Sequence, residues 1–154
     1  MAEKDLLAEL ARIVSSSQNR VASLQEIADL IKAFGSYRWV GLYDVNRRSG
    51  VVKNLVWSGP SAPAYPAFPI AKGLTGVAVS ERTTVNVGNV TADARYLTAL
   101  GTTRSEIIVP IFNREGTKVL GTIDVESEAL HAFSKDAEDL LRSCSVVIQR
   151  LWNH

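Results

Sequence analysis

The sequence predicts an α/β domain of the α+β type, with a central antiparallel sheet and helices from both ends of the chain on one face. Apolar residues recur with the period of an α-helix in segments 1–35 and 134–152, which is typical of amphipathic helices. Between them, segment 36–127 contains stretches of alternating apolar and polar residues joined by tight turns. Consecutive hairpins favour an antiparallel sheet whose second face is left for loops and a ligand.

The terminal segments divide into three predicted helices. The first has a leucine-rich apolar side and is interrupted by serines at residues 15–17. The second ends at Gly35, a residue type that suits the left-handed turn closing many helices. The third covers Ser134–Trp152, and its apolar side consists of Leu140, Leu141, Cys144, Val147, Ile148 and Leu151.

Two hairpins make up the centre of the predicted sheet. Strand Ser36–Val45 is followed by a turn rich in Asn, Arg, Ser and Gly, and the chain returns as Val51–Ser58. The second hairpin pairs Ser105–Phe112 with Lys118–Glu126. Pro110 lacks an N–H, so its place in this strand indicates a bulge or a position without a ladder hydrogen bond.

Two irregular segments connect these hairpins. Segment 59–69 holds four prolines, which predict an ordered loop because proline disrupts helix and strand hydrogen bonds alike. Segment 88–102 is predicted to be irregular apart from a helical turn around Ala92–Leu97. A short helix at Gly73–Glu81 and a short strand at Thr83–Val87 lie between the two segments. We expect the loops and this helix to cover the second face of the sheet.

Composition excludes several classes of function. The net charge of +1 and the scattered basic residues argue against binding to nucleic acid or to a membrane surface. Cys144 is the single cysteine, so no internal disulfide forms, and neither His131 nor His154 has a partner at metal-ligand spacing. Without an N-terminal signal or a transmembrane stretch, a cytoplasmic domain with no cofactor and no metal is expected.

Alternation along the strands brings aromatic and acidic side chains to the loop-covered face. Trp39 and Tyr43 share one face of their strand, and Glu106, Asp124 and Glu126 take the corresponding face of the second hairpin. Carboxylates gathered in a partly dry pocket attract a cation, and aromatic rings beside them favour an ammonium group. The alternative from alternation alone is that Asp124 and Glu126 form a solvated strand face paired with Lys or Arg.

Four segments carry a resemblance to a known family. Residues 37–43, 72–76, 105–111 and 121–127 resemble a GAF domain, and more narrowly the branch that contains the free methionine-(R)-sulfoxide reductases. The resemblance implies one GAF domain over residues 1–154 with the profilin-like arrangement of that fold. It also implies that an amino-acid ligand is bound by Trp39, Tyr43, Glu106, Asp124 and Glu126.

The chain departs from this family at the cysteines. The family's cysteine positions correspond to Ala67, Thr75 and Ala99, and neither alanine nor threonine can serve as a redox nucleophile. The remaining thiol, Cys144, lies on the apolar side of the last helix, where a cysteine is usually a small buried hydrophobe. No catalytic residue is therefore assigned. The hydroxyls of Thr75 and Ser105 are further candidates for binding the ligand.

These observations favour a non-catalytic, small-molecule-binding sensor domain for an amine-bearing metabolite such as a free amino acid. A homodimer through the apolar terminal helices is the expected partner arrangement. Two alternatives stay open. One is a sulfoxide reductase with atypical thiol usage, and the other is a docking module with a vestigial pocket.

Overall fold

The computed structural model describes residues 1–96 and 100–152, and within them it confirms the mixed α/β class. Six strands form one antiparallel sheet in the order β3-β2-β1-β6-β5-β4. The strands are β1 (Trp39–Asn46), β2 (Val51–Ser58), β3 (Ala67–Pro69), β4 (Val85–Val87), β5 (Ser105–Phe112) and β6 (Val119–Ser127). The α-helices are α1 (Glu3–Ser16), α2 (Arg20–Gly35), α3 (Gly73–Glu81) and α4 (Lys135–Ile148).

Three helices cover one face of the sheet, as the periodicity predicts. Helices α2 and α4 pack their apolar sides against alternate residues of the central strands, and α1 packs against α2 and α4. The side chains of this layer are almost fully buried. Burial of this continuous apolar layer is the main stabilising term of the fold. The strand residues in the layer include Val40, Leu42, Ile107, Val109, Ile111, Ile123 and Val125.

The end of α2 differs in detail from the prediction. Gly35 is the last helical residue, and the left-handed position falls on Ser36, which has a φ of 53°. The N–H of Tyr37 donates to the carbonyl of Lys32, which closes the helix end. A Cβ at Gly35 would lie 2.1 Å from the Tyr37 ring. Gly35 is therefore required for close packing, and the predicted strand Ser36–Val45 starts later, at Trp39.

The proline-rich segment 59–69 is not entirely a loop. Its last residues form β3, which pairs with β2 through Val51 opposite Pro69 and Lys53 opposite Ala67. Proline is tolerated there because β3 is an edge strand with no neighbour on its outer side. The prediction treated proline as excluding ladder pairing and missed this case.

Other element bounds shift by a few residues. Ser134 caps α4 by accepting a hydrogen bond from the N–H of Ala137, and the predicted last helix ends as a 3-10 turn at Gln149–Trp152. In segment 88–102, a 3-10 turn lies at Val90–Ala92, and Leu97 of the predicted turn lies outside the described residues. In the described part of the chain, no helix is both long and apolar enough to cross a membrane.

The C-terminal turn is fastened to the central strand β1, near the end of that strand. The indole N–H of Trp152 donates to the carbonyl of Tyr43 at 3.1 Å. Arg20 lies 5.4 Å from the centre of the Trp152 ring and donates to Leu151 and to the Asp44 carboxylate. These contacts tie the start of α2, the end of β1 and the C-terminal turn together.

Candidate functional site

Three carboxylates meet on the sheet face that the terminal helices leave uncovered. Glu106 on β5 lies directly opposite Glu126 on β6, and Asp124 lies two residues earlier on the same face of β6. One oxygen from each carboxylate falls within 4.8 Å of the other two. All three side chains are buried. The structure thus brings together the acids that alternation predicts. It excludes the alternative in which Asp124 and Glu126 lie on a solvated face of the strand.

Two aromatic rings form a wall of this acidic cluster. Trp39 pairs with Glu126 across the β1–β6 ladder, and Tyr43 lies further along the same face with its ring centre 6.5 Å from that of Trp39. Gly41 lies between them, and a Cβ there would come within 2.3 Å of the Trp39 ring. Glycine at this position lets the rings close over the backbone opposite Asp124.

Two hydroxyls from the chain between β4 and β5 donate hydrogen bonds to the acidic cluster. The Thr103 hydroxyl donates to Glu126 Oε1 at 2.5 Å, and the Tyr96 hydroxyl donates to the same oxygen at 3.1 Å. On the other side, the Trp39 indole N–H donates to the carbonyl of Ser61, which fixes the proline-rich segment beside the ring. Both irregular segments are therefore anchored to the site, as the sequence predicts.

Several buried oxygens of the site have no hydrogen-bond partner within the described residues. They are Asp124 Oδ1, Glu126 Oε2 and Thr122 Oγ1. Thr122 lies two residues before Asp124 on the same face of β6 and pairs with Tyr43. Buried polar atoms in folded proteins are normally satisfied, so unsatisfied acceptors mark a place where a donor belongs.

Burial raises the pKa values of the three acids, and repulsion from Asp124 adds to the rise at Glu106 and Glu126. Burial is the main cause in each case, and it raises the pKa of Asp124 to about 6 and that of Glu126 to about 8. The pKa of Glu106 lies well above its usual range because of burial and the neighbouring Asp124 charge. Every buried ionisable side chain of this face is acidic or phenolic, and none of the described basic residues is buried with them.

Thr75 and Ser105 occupy different environments. Thr75 is buried in the first turn of α3, which packs on the same side of β5 as the carboxylates, next to Ile108. Ser105 points to the opposite face, where its hydroxyl donates to the carbonyl of Ala129 and accepts from the N–H of Ala132. Ser105 is one residue before Glu106, and the pleat of the strand separates the two side chains. The structure therefore does not bring Ser105 to the site.

The chain's thiol lies away from the acidic cluster. Cys144 is fully buried in the layer between α4 and the sheet, on the helix-covered face. Burial raises the pKa of this thiol to about 12, which suppresses the reactive thiolate. Of the family's cysteine positions, Ala67 lies on β3 and Thr75 on α3, whereas Ala99 lies outside the described residues.

Some polar partners of the acids were not predicted from the sequence. Tyr96 was not predicted as a site residue, because an aromatic residue in an irregular segment has no periodic pattern to orient it. Thr122 could have been found, since it shares the alternation of Asp124. Carboxylate oxygens at this spacing are of the type that hard cations and ammonium groups prefer as partners.

Comparison with known proteins gives the family. The family model for the GAF domain matches residues 20–148 of this chain. The chain belongs to the GAF domain family. Domains of this family commonly bind small molecules, and the fold and the buried face described above agree with that role.

Relatives of this GAF domain include both reductases and proteins named only for the domain. GAF domain-containing protein A of Dictyostelium discoideum is 25% identical, with 90% of this chain and 84% of that protein covered. The free methionine-R-sulfoxide reductase of Saccharomyces cerevisiae is 28% identical, with 96% and 83% covered. The structure of the Neisseria meningitidis reductase with its substrate has a TM-score of 0.88 at 28% identity, covering 98% of this chain and 88% of that one.

The raised pKa values predict that the ligand-free protein loses stability as pH rises from 5 to 8.5. Asp124 and Glu126 hold protons in the folded state at pH values where the unfolded chain, with values near 4, has lost them. The contribution of these two groups to the free energy of unfolding is therefore complete below about pH 4. It is lost as the pH rises through about 6 for Asp124 and about 8 for Glu126. At ~1.4 kcal/mol per pKa unit, we expect a loss on the order of a few kcal/mol in urea unfolding.

A pair of variants isolates the acidic cluster as the cause. Glu106→Gln combined with Glu126→Gln should flatten the dependence on pH, because the amides do not ionise. Glu115→Gln, in the exposed β5–β6 turn, should leave it unchanged. A free energy of unfolding that is constant or rises between pH 5 and 8.5 would contradict the electrostatic account.

Proposed function

We propose that this GAF domain is a non-catalytic sensor that binds a small metabolite with a primary ammonium group, such as a free amino acid. The observation that carries the proposal is the group of three buried carboxylates with unsatisfied oxygens beside two aromatic rings. An ammonium group supplies three N–H donors and a positive charge. Its binding would satisfy Asp124 Oδ1 and Glu126 Oε2 and would relieve the repulsion within the cluster.

The protonation states support binding of one charged amine. Near pH 7, Asp124, with a pKa of about 6, is mostly ionised, whereas Glu126, with a pKa of about 8, is mostly protonated. A bound ammonium favours the ionised form of both carboxylates, so binding releases protons and strengthens as pH rises toward 8. Glu106, whose pKa burial raises well above its usual range, acts in this scheme as a neutral donor between the other two acids.

The aromatic wall favours an ammonium over a metal ion. Ca²⁺ takes six to eight oxygen ligands and Mg²⁺ usually keeps several waters. Trp39 and Tyr43 offer ring faces in place of such oxygens, and those faces attract organic cations by the cation–π interaction. The rings also supply apolar surface for the rest of the metabolite. The combination of rings and acids therefore suits an organic amine.

A thiol-dependent reaction is the competing function, and it is favoured by the two reductase relatives. Reduction of a sulfoxide by this route requires a thiolate that attacks sulfur and a second thiol that resolves the product. Cys144 is the single cysteine, is buried on the other face of the sheet and has a raised pKa. These facts support binding without conversion.

A binding experiment with matched ligands tests the proposal. Free L-methionine and other L-amino acids should raise the melting temperature, because a ligand of the native state stabilises by about 2.7 kcal/mol at one hundred times its Kd. N-acetyl-L-methionine, which lacks the ammonium charge, should give no shift. Asp124→Asn should weaken the binding measured by calorimetry roughly tenfold or more, whereas Asp139→Asn on the exposed side of α4 should leave it intact.

Three outcomes would contradict this function. Stabilisation by Ca²⁺ or Mg²⁺ but not by any amine would replace the organic ligand with a metal ion. Turnover of free methionine sulfoxide with an external thiol, retained in Cys144→Ser, would make the domain an enzyme. The absence of any ligand response would leave a docking module with a vestigial pocket.

Self-association through the terminal helices is the proposed route for the signal. Val146 on α4 is 66% exposed and Val21 on α2 is 57% exposed, so both helices offer apolar side chains to a second copy. We expect a dimer mass in sedimentation velocity and a shift toward monomer in Val146→Glu. Ser80→Glu, on the exposed side of α3 and away from the terminal helices, is the matched charge control. A monomer at all concentrations would contradict this part of the proposal.

A further inference from the structure

A second cavity lies at the opposite end of β1 and β6 from the carboxylates. Its volume is about 380 Å³. It opens where the β1–β2 turn and the β5–β6 turn come together, at the end of the sheet that the Trp152 contacts close. Its lining consists of Asp44, Val45, Asn46, Arg47, Ser49, Val51, Lys53, Lys118, Leu120 and Trp152.

The lining of this cavity is strongly basic. Arg47, Lys53 and Lys118 are exposed, and none of the ion pairs found among residues 1–96 and 100–152 involves them. The acidic residue of the lining, Asp44, is held by Arg20 at 2.9 Å and so is already neutralised. Glu115, in the neighbouring turn, lies outside the lining. Three positive charges therefore face one small volume in a chain whose net charge is only +1.

The backbone brings these cations together from separate parts of the sequence. Arg47 extends from the β1–β2 turn and donates to the carbonyl of Val119 at 2.6 Å, which links the two turns. Lys53 lies on β2 opposite Asp44 of β1, and Lys118 immediately precedes β6. The backbones of these three residues are held by a hydrogen-bonded turn and by paired strands. Because the residues belong to different elements, their charges approach the cavity from different directions.

We propose that this cavity binds a diphosphate group. Lysine acts on phosphate as a point charge, and tetrahedral phosphate oxygens accept donors from several directions, whereas a planar carboxylate is best matched by one bidentate arginine. Leu120, Val51 and Trp152 supply an apolar floor that reduces competition from water. The group could belong to inorganic pyrophosphate or to an organic diphosphate, and the cavity is independent of the amine site.

Calorimetric titration at low salt tests this site. Pyrophosphate should bind saturably, more tightly than inorganic phosphate or succinate, and the affinity should fall steeply with added salt. Lys53→Gln with Lys118→Gln should weaken pyrophosphate binding roughly tenfold or more. Arg48→Gln with Arg114→Gln removes the same charge from the same end of the molecule outside the lining, and it should change the affinity far less.

Two further measurements identify the source of the diphosphate group and separate this cavity from the amine site. Binding of ADP as tight as that of pyrophosphate assigns the site to an organic diphosphate, and binding of pyrophosphate alone assigns it to the inorganic ion. Amine binding should persist in the lysine double variant, so failure at one site is separable from failure at the other. Absence of saturable pyrophosphate binding, or equal loss in both double variants, would overturn the proposal.

Discussion

The burial of three adjoining carboxylates is the constraint on which the rest of this structure depends. Ionised acids in a dry site repel one another and are poorly solvated, so the ligand-free domain retains a proton on Glu126, a group that would otherwise be ionised near pH 7. The hydroxyls of Thr103 and Tyr96 donate hydrogen bonds to Glu126, which partly compensates for its burial. Both hydroxyls come from the irregular segment between β4 and β5. Conformation of that segment and protonation of the acids are therefore linked.

Strand alternation predicted the sheet and the acids well because a pleated strand has a strict period of two. Glu106, Asp124 and Glu126 were found in this way. The same rule places Ser105 on the opposite face, although its hydroxyl suggested a role in binding the ligand. Tyr96 has no such rule, because its position depends on tertiary contacts of an irregular segment.

Local chemistry explains the other differences. At the end of α2, a Cβ on Gly35 would clash with the Tyr37 ring, and the left-handed position is Ser36. The edge strand β3 tolerates prolines that would disrupt a central strand. The basic cavity was beyond sequence reasoning, because Arg47, Lys53 and Lys118 are scattered along the chain and converge only when the two hairpins align. Charge is thus segregated, with acids at one end of β1 and β6 and cations at the other.

Carboxyl ¹³C NMR measures the central electrostatic claim most directly. With the three acids assigned by substitution, the account predicts that at least one carboxyl keeps its proton above pH 7 in the ligand-free protein, and that a bound amine moves this transition toward acid. Three transitions near pH 4, unaffected by amines, would show that the cluster is solvated and would contradict the account.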